Sequence, residues 1–311
     1  IQAFANFGFA ESHSLSFGLL VYASSWIKLH YPAAFLAGLL RAQPMGFYSP
    51  ATLVADARRH GVEVQRPDLL RSDVHATLEP LGDESGVTGR PECAHRTQPP
   101  VPAFDPAAPD ESAAHRRDGN HAVRLGLAAI KGIGEALATK IVTERRQRGD
   151  FRDMRDLVRR TGATAAQLEA LSTAGAFECF GITRREALWI AGSAAQDRAE
   201  FLPDSMVAVQ PPLFPDQSSY DILAADLWAT GISTDDHPLT PFRSGLDARG
   251  VLTSREMRTH DPGRRVEVAG LVTHRQRPAT ASGITFLNLE DEHGVVNVIC
   301  SVGVETRDGR V

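Results

Sequence analysis

Apolar residues recur at helical spacing through the first sixty positions, and the breaks between them are set by local chemistry. Ser14 is suited to cap a helix running to about His30, and Pro32 sits where a second helix begins, continuing through Leu39 and Leu40. Gln43 to Ser49 reads as a loop. Ser49-Pro50 opens a third helix, because serine offers a side-chain cap and the missing N–H of proline costs nothing in a first turn. Leu53, Val54 and Ala57 carry its apolar face, and Gly61 ends it. Val62-Glu63-Val64 is extended. Two alternating stretches, Val74 to Leu78 and Ala122 to Leu127, predict a split hairpin. Between them, Gly82 to Asn120 is rich in Pro, Asp, Glu, Ser and Arg; such a segment buries little surface and reads as a mobile insertion. Helical patterning returns over 128–200, a proline-rich linker covers 203–220, and a helix is predicted near Tyr220 to Trp228. From Gly263 the period changes to two: Val266, Val268 and Leu271, then Thr285, Leu287 and Leu289, then Val296 and Val298. This predicts a small antiparallel β unit.

Composition adds limits. With 311 residues, 42% hydrophobic and 23% charged, two or three ordinary globular domains are expected. A net charge of −5 confines any nucleic-acid surface to a local patch. Lys28, Lys131 and Lys140 are the only lysines; the other basic residues are arginines, a bias of the kind a GC-rich genome imposes. Cys93, Cys179 and Cys300 lie far apart with no CxxC pair, which argues against a zinc site and a disulfide scaffold. The apolar stretch from Leu15 to Leu40 is broken by Lys28, His30 and Pro32, so it does not read as a membrane span, and no signal peptide is evident. A reducing cytoplasm is the expected compartment. A chain that starts at Ile1 is expected to be a fragment or an incomplete gene model.

The sharpest local motif runs from Leu127 through Lys131-Gly132-Ile133-Gly134 to Ala136. It reads as an apolar helix, a Gly-Ile-Gly hairpin and the start of another helix. The glycines allow unusual dihedrals and close approach of a ligand, and the free N–H groups of the second helix favour a phosphate. Lys131, Lys140 and Arg145 add positive charge, with Arg146 and Arg148 near them, and Ile133 is expected to plug the space between the two helices. The pattern resembles the helix-hairpin-helix motif of DNA repair and replication proteins, which binds the backbone without reading bases. A second copy is expected over Leu168 to Phe177, with Ala174-Gly175-Ala176 as its hairpin; the competing reading for both copies is a plain αα-hairpin.

In the β unit, Arg264 to Gly270, continued by Thr273 to Pro278, reads as a first strand, Ile284 to Leu289 as a second and Val295 to Cys300 as a third, with Glu290 to Gly294 as the turn. These look like the first three strands of a five-stranded OB-fold, predicting an incomplete barrel with an exposed edge. Arg275, Arg277 and Phe286 are candidates to meet single-stranded nucleic acid; the alternative is that Phe286 is core and the arginines are solvated.

Three stretches of the first third carry a family resemblance: Phe4-Ala5-Asn6-Phe7-Gly8-Phe9-Ala10-Glu11-Ser12-His13-Ser14, then Trp26 to Phe35, then Gln43-Pro44-Met45-Gly46-Phe47-Tyr48-Ser49-Pro50 with Asp56 to Val64. They resemble the fingers region of bacterial C-family DNA polymerases, the polymerase III alpha-subunit family, and the third, with Thr273 to Thr280, resembles its error-prone branch. The resemblance runs from residue 1 to about 300, with gaps at 82–118 and 193–220. It implies a multidomain chain, mainly α with a C-terminal β unit: a fingers segment at 1–80, a disordered insertion at 81–120, a tandem helix-hairpin-helix domain at 121–200, a Pro-rich linker at 201–220, a connecting segment at 221–262 and a partial OB-fold at 263–311. It also implies DNA-directed DNA synthesis in translesion synthesis and damage-induced mutagenesis, with primer-template DNA as partner. The metal-bound carboxylates and their Mg2+ belong to a palm domain expected upstream of Ile1. Asp56, Asp73 and Asp291 do not assemble one, so no cofactor and no catalytic residue are expected in this stretch, and no polymerase activity from it alone.

Gln210-Pro211-Pro212-Leu213-Phe214 resembles the motif by which bacterial polymerases bind the sliding clamp. Leu213 and Phe214 would fill an apolar pocket, and Gln210 would fix register. An apolar pair packed on the protein itself is the alternative, and the error-prone branch also implies accessory translesion proteins as partners. Glu11-Ser12-His13-Ser14 invites a serine–histidine catalytic reading, but sequence neighbours rarely face one another productively, and capping by Ser12 or Ser14 accounts for it better. The competing reading of the whole is a non-catalytic helix-hairpin-helix and OB scaffold protein of repair. An unrelated metabolic enzyme lacks support, since the sequence carries no nucleotide loop, metal cluster or triad.

Overall fold

The structure, a computed structural model, describes residues 11–46, 48–82, 112–197, 215 and 217–301. Three helices lead the chain: α1 (Glu11–His30), α2 (Pro32–Arg41) and α3 (Pro50–Arg59). The Ser49 hydroxyl accepts the Thr52 amide at 3.2 Å ahead of Pro50, and Gly61, at φ +78°, turns the chain out of α3. Ser12 and Ser14 lie inside α1, and the Ser16 hydroxyl donates to the Ser12 carbonyl at 2.9 Å. Leu15, Phe17, Leu19, Leu20, Val21 and Tyr22 of α1 are all exposed, which makes the helix apolar on every side.

Three short strands follow, β1 (Val64–Gln65), β2 (Thr77–Pro80) and β3 (His121–Arg124). β3 is central, parallel to β1 and antiparallel to β2, so the split hairpin forms as expected. Leu36, Val54, Val62, Val123 and Leu125 make the core between this sheet and α2–α3. The insertion predicted over 81–120 is shorter at its C-terminal end. A turn of helix, α4 (Ser112–His115), leads to Asp118, whose carboxylate accepts the Ala33 and Ala34 amides at 2.8 and 3.1 Å and so caps α2. That bond set anchors the segment; the rest of the insertion, 83–111, lies outside the described residues.

The helical domain comprises α5 (Glu135–Arg148), α6 (Met154–Thr161), α7 (Ala165–Thr173) and α8 (Arg184–Ala194), closed by α9 (Ser219–Thr230). Ile133, Ile141, Phe151, Leu157, Leu171 and Phe177 fill its core with Leu69 and Ala229. A buried ion network ties three parts of the chain together. Arg184, 3% exposed, pairs with Asp226 at 2.7 Å, and Arg66 reaches the other Asp226 oxygen at 3.1 Å. Two short helices, α10 (Arg243–Ala248) and α11 (Ser254–Thr259), lead to a meander of β4 (Leu271–Gln276), β5 (Thr285–Asp291) and β6 (Gly294–Cys300).

The first strand of that meander lies later than the residue alternation suggested. Arg264 to Gly270 forms no strand beyond a single bridge from Val268 to Leu252. A Cβ on Gly270 would sit 2.7 Å from that of Leu289, so the chain crosses β5 closely there before it pairs. Asp291 fixes the turn: its carboxylate accepts the Ser254 amide and hydroxyl at 2.5 and 2.6 Å and the His293 and Gly294 amides at 2.9 Å each. Burial opposes that charge, but these donors hold the carboxyl below the ordinary aspartate value. Arg59 of α3 reaches Glu290 at 3.0 Å and joins the β unit to the first helices. Among the described residues no helix is long and apolar enough to cross a membrane.

Candidate nucleic-acid interface

The first hairpin begins differently from its sequence reading. β3 ends at Arg124, and only a single 3-10 turn, Leu127–Ala129, precedes Ile130. No α-helix forms between β3 and Lys131. Gly126 also brings the backbone against the neighbouring loop: a Cβ there would lie 2.4 Å from the His75 carbonyl carbon. The Leu127 and Ala128 amides bind the Asp73 and Val74 carbonyls at 3.0 Å each, and this pins the near leg of the hairpin.

Past that leg the motif is as its residues suggest. Gly132 takes φ +90°, where a side chain would be strained. Ile133 is 2% exposed and plugs the core. Lys131, Gly132 and Gly134 are exposed, Gly134 is the N-cap of α5, and no side chain caps the helix there. A Cβ on Gly134 would meet nothing within 4 Å. The result is an uncapped helix N-terminus facing solvent beside a cation, the arrangement that favours a phosphate. Glu135, at the first position of α5, pairs with His75 Nε2 at 3.2 Å. Lys140 stands exposed further along α5.

Three arginines grouped with this hairpin by sequence are engaged by protein partners. The Arg145 guanidinium donates to the Leu69 and Ser72 carbonyls at 2.6 and 2.7 Å, and its burial lowers its pKa. It is a strut between α5 and the loop after β1, which removes it from the exposed cations. Arg146 binds Asp73 at 2.7 Å and Arg148 binds Glu144 at 3.2 Å. The second hairpin does form, with Gly175 at φ +76°, but Gly175 is buried. A Cβ there would lie 2.8 Å from Glu178 and 3.0 Å from Arg184, both held by the ion network. The next helix, α8, is closed by a capping box in which Thr183 and Glu186 exchange hydrogen bonds. The box takes up the Thr183 and Glu186 amides, and Gly175 itself is turned into the protein rather than to solvent.

In the β unit, Arg275 stands opposite Leu287 and Phe286 opposite Gln276 and Ile299. Side-chain alternation therefore puts Arg275 and Phe286 on opposite faces of the sheet, and Arg277 lies just beyond β4. Phe286 is exposed and is not part of the core. Gln210, Leu213 and Phe214 lie outside the described residues, as does Cys93. Burial pushes the Cys179 thiol up to about 11. Asp56 pairs with Lys28 at 2.8 Å, Asp73 with Arg146 and Asp291 with Ser254, on three separate elements. Among the described residues no group of three His, Cys, Asp or Glu side chains could hold a metal ion.

Sequence reading missed Trp228. The Lys131 amide donates to the Ala229 carbonyl of α9 at 2.7 Å, and the Lys131 ammonium lies 5.1 Å from the centre of the exposed Trp228 ring. Nothing local in the sequence links two residues so far apart.

The family model for the helix-hairpin-helix motif matches residues 61–187, a stretch that takes in the hairpin, its plug and the helices behind it. More particularly, the chain is homologous over nearly all its length to bacterial proteins named error-prone DNA polymerase. It is 53% identical to that of Cutibacterium acnes across 97% of this chain and 27% of the relative. The Mycolicibacterium paratuberculosis protein is 50% identical across 99% of this chain and 25% of the relative, and that of Mycobacterium tuberculosis strain H37Rv 48% across 99% and 24%. The chain thus spans about a quarter of the length of the curated relatives it matches.

Proposed function

We propose that this chain is the DNA-holding part of an error-prone DNA polymerase that copies past lesions. The observation that carries the reading is the exposed, uncapped turn Lys131–Gly134 at the head of α5, inside a stretch that matches the helix-hairpin-helix motif. In this reading the Gly132, Gly134 and Glu135 amides take phosphate oxygens of the primer-template duplex, Lys131 adds a cation, and Lys140 meets the next phosphates. Contacts of this kind hold register without choosing a base, which suits a polymerase that must accept damaged template. The apolar sides of α1 are then covered by the remaining length of the polymerase. The three-stranded β unit is the start of an OB-fold. Synthesis itself uses Mg2+ held by carboxylates of that remaining length.

Gln210, Leu213 and Phe214 serve in this account as a sliding-clamp peptide, with accessory translesion proteins as further partners. Calorimetry of the chain with purified clamp tests that part: saturable binding is expected, and Leu213→Ala/Phe214→Ala abolishes it; no binding by either form contradicts it. The polymerase reading is tested by exchange. A chimera in which this chain replaces the matching quarter of the Cutibacterium acnes protein is expected to extend primers, and Lys131→Glu/Gly134→Val is expected to cut that extension at least ten-fold. A folded chimera that extends primers equally well with and without the substitutions would overturn the role given to the hairpin.

A further inference from the structure

Helix α9 buries Leu223, Asp226 and Ala229 and turns Tyr220, Ala224, Leu227 and Trp228 outward. These four are spaced along one face, so they form a single apolar stripe. Trp228 is 54% exposed and Tyr220 53%. The stripe starts at the hairpin, because Lys131 is bonded to Ala229 and its ammonium lies over Trp228. Its far end is extended by Phe242, which meets Tyr220 edge-on with centroids 6.3 Å apart and is itself exposed. Asp221, next to Tyr220 in the chain, is engaged by Ser218 and Arg185. From Tyr220 to Trp228 the helix rises about 12 Å.

We propose that this stripe is a path for single-stranded DNA leaving the duplex held at the hairpin, with bases stacked on Trp228 and Tyr220. The inference rests on the reading of Lys131–Gly134 as a phosphate contact. Exposed aromatic rings beside a cation are the elements from which sequence-tolerant strand binding is built, since every base offers a flat face. A stretch of about 12 Å takes roughly three stacked nucleotides at 3.4 Å each. Continuity with the hairpin favours nucleic acid over an apolar peptide as the occupant.

The test compares a blunt duplex, the same duplex with a ten-nucleotide overhang, and the single strand, each binding the whole chain by fluorescence anisotropy. Trp228→Ala is expected to weaken overhang and single-strand binding about ten-fold and blunt-duplex binding less than two-fold, while Trp228→Phe keeps most of the affinity. Single-stranded DNA is expected to quench the fluorescence that Trp228→Phe removes. Unchanged affinities in Trp228→Ala would overturn the proposal. So would equal losses on all three substrates, which would mean that Trp228 acts only through the hairpin. Trp228 emission shielded from iodide before DNA is added would assign the stripe to a covering peptide and overturn it as well. If Lys131→Glu/Gly134→Val spares the blunt duplex while Trp228→Ala weakens the overhang, the hairpin reading fails and the strand path stands.

Discussion

Gly126→Ala tests how the hairpin is held. The added Cβ would stand 2.4 Å from the His75 carbonyl carbon, 2.5 Å from its Cα and 2.5 Å from the Val74 carbonyl oxygen. Carbon atoms rest about 3.5–4.0 Å apart, so the two backbones must separate by about 1 Å. The bonds from the Leu127 and Ala128 amides to the Asp73 and Val74 carbonyls then stretch or break. Each contributes about 0.5–1.5 kcal/mol. Leu127 is fully buried, and loosening it adds a further loss of about 1 kcal/mol by area. The expected destabilisation is therefore about 2–4 kcal/mol. Because the same bonds pin the near leg of the hairpin, duplex affinity falls with stability. Urea unfolding followed by circular dichroism gives the first quantity and anisotropy the second. Gly119→Ala, where a Cβ meets nothing within 4 Å, serves as control and is expected to stay within about 0.5 kcal/mol of the parent. An unfolding free energy for Gly126→Ala indistinguishable from that control would refute the argument.

Three further outcomes are expected. Asp226→Asn leaves Arg184 buried with only carbonyls and the half-exposed Glu178, so urea unfolding is expected to show a loss of about 3–5 kcal/mol; a loss under about 1 kcal/mol would contradict the network's role. Asp291 titrates below its ordinary value in the folded chain, so its stabilisation is complete above about pH 4 and is lost as pH falls further; Asp291→Asn is expected to flatten that part of the acid-unfolding profile, and an unchanged profile would count against it. Arg145→Ala is expected to lower stability by about 2 kcal/mol with little change in the salt dependence of DNA binding, whereas Lys140→Ala does the reverse; swapped behaviour would return Arg145 to the DNA surface.

Features governed by neighbours in sequence were legible from the start. Ser49-Pro50 marked a helix start because cap and proline act within one turn, and Lys131-Gly132-Ile133-Gly134 marked a hairpin because its geometry is carried by its own residues. Features decided by distant partners were not. Arg145 looked like one cation among several until Leu69 and Ser72 supplied two carbonyls from the other side of the core. Gly175 matched Gly134 in pattern, but the Arg184–Asp226 pair closes over it, and that pair joins residues on separate helices. The start of β4 slipped past Gly270 because alternation in Val266 and Val268 mimics a strand, while the close crossing with Leu289 is a tertiary fact. Trp228 was invisible for the same reason. Identity of 50–53% across nearly the whole chain to proteins named error-prone DNA polymerase agrees with the resemblance read in the first sixty residues, which rested on several separate motifs.

In the proposed function the turn Lys131–Gly134 holds DNA by its phosphates. The most direct test is the salt dependence of duplex affinity for the parent chain and for Lys131→Glu/Gly134→Val. Gly134 is the better site for the second change, since its φ is ordinary and its Cβ would point into open space, leaving the fold intact. The variant is expected to bind every duplex sequence tried more weakly, with a logarithmic salt slope shallower by about one to two. Equal affinity and equal slope in the two proteins would contradict it.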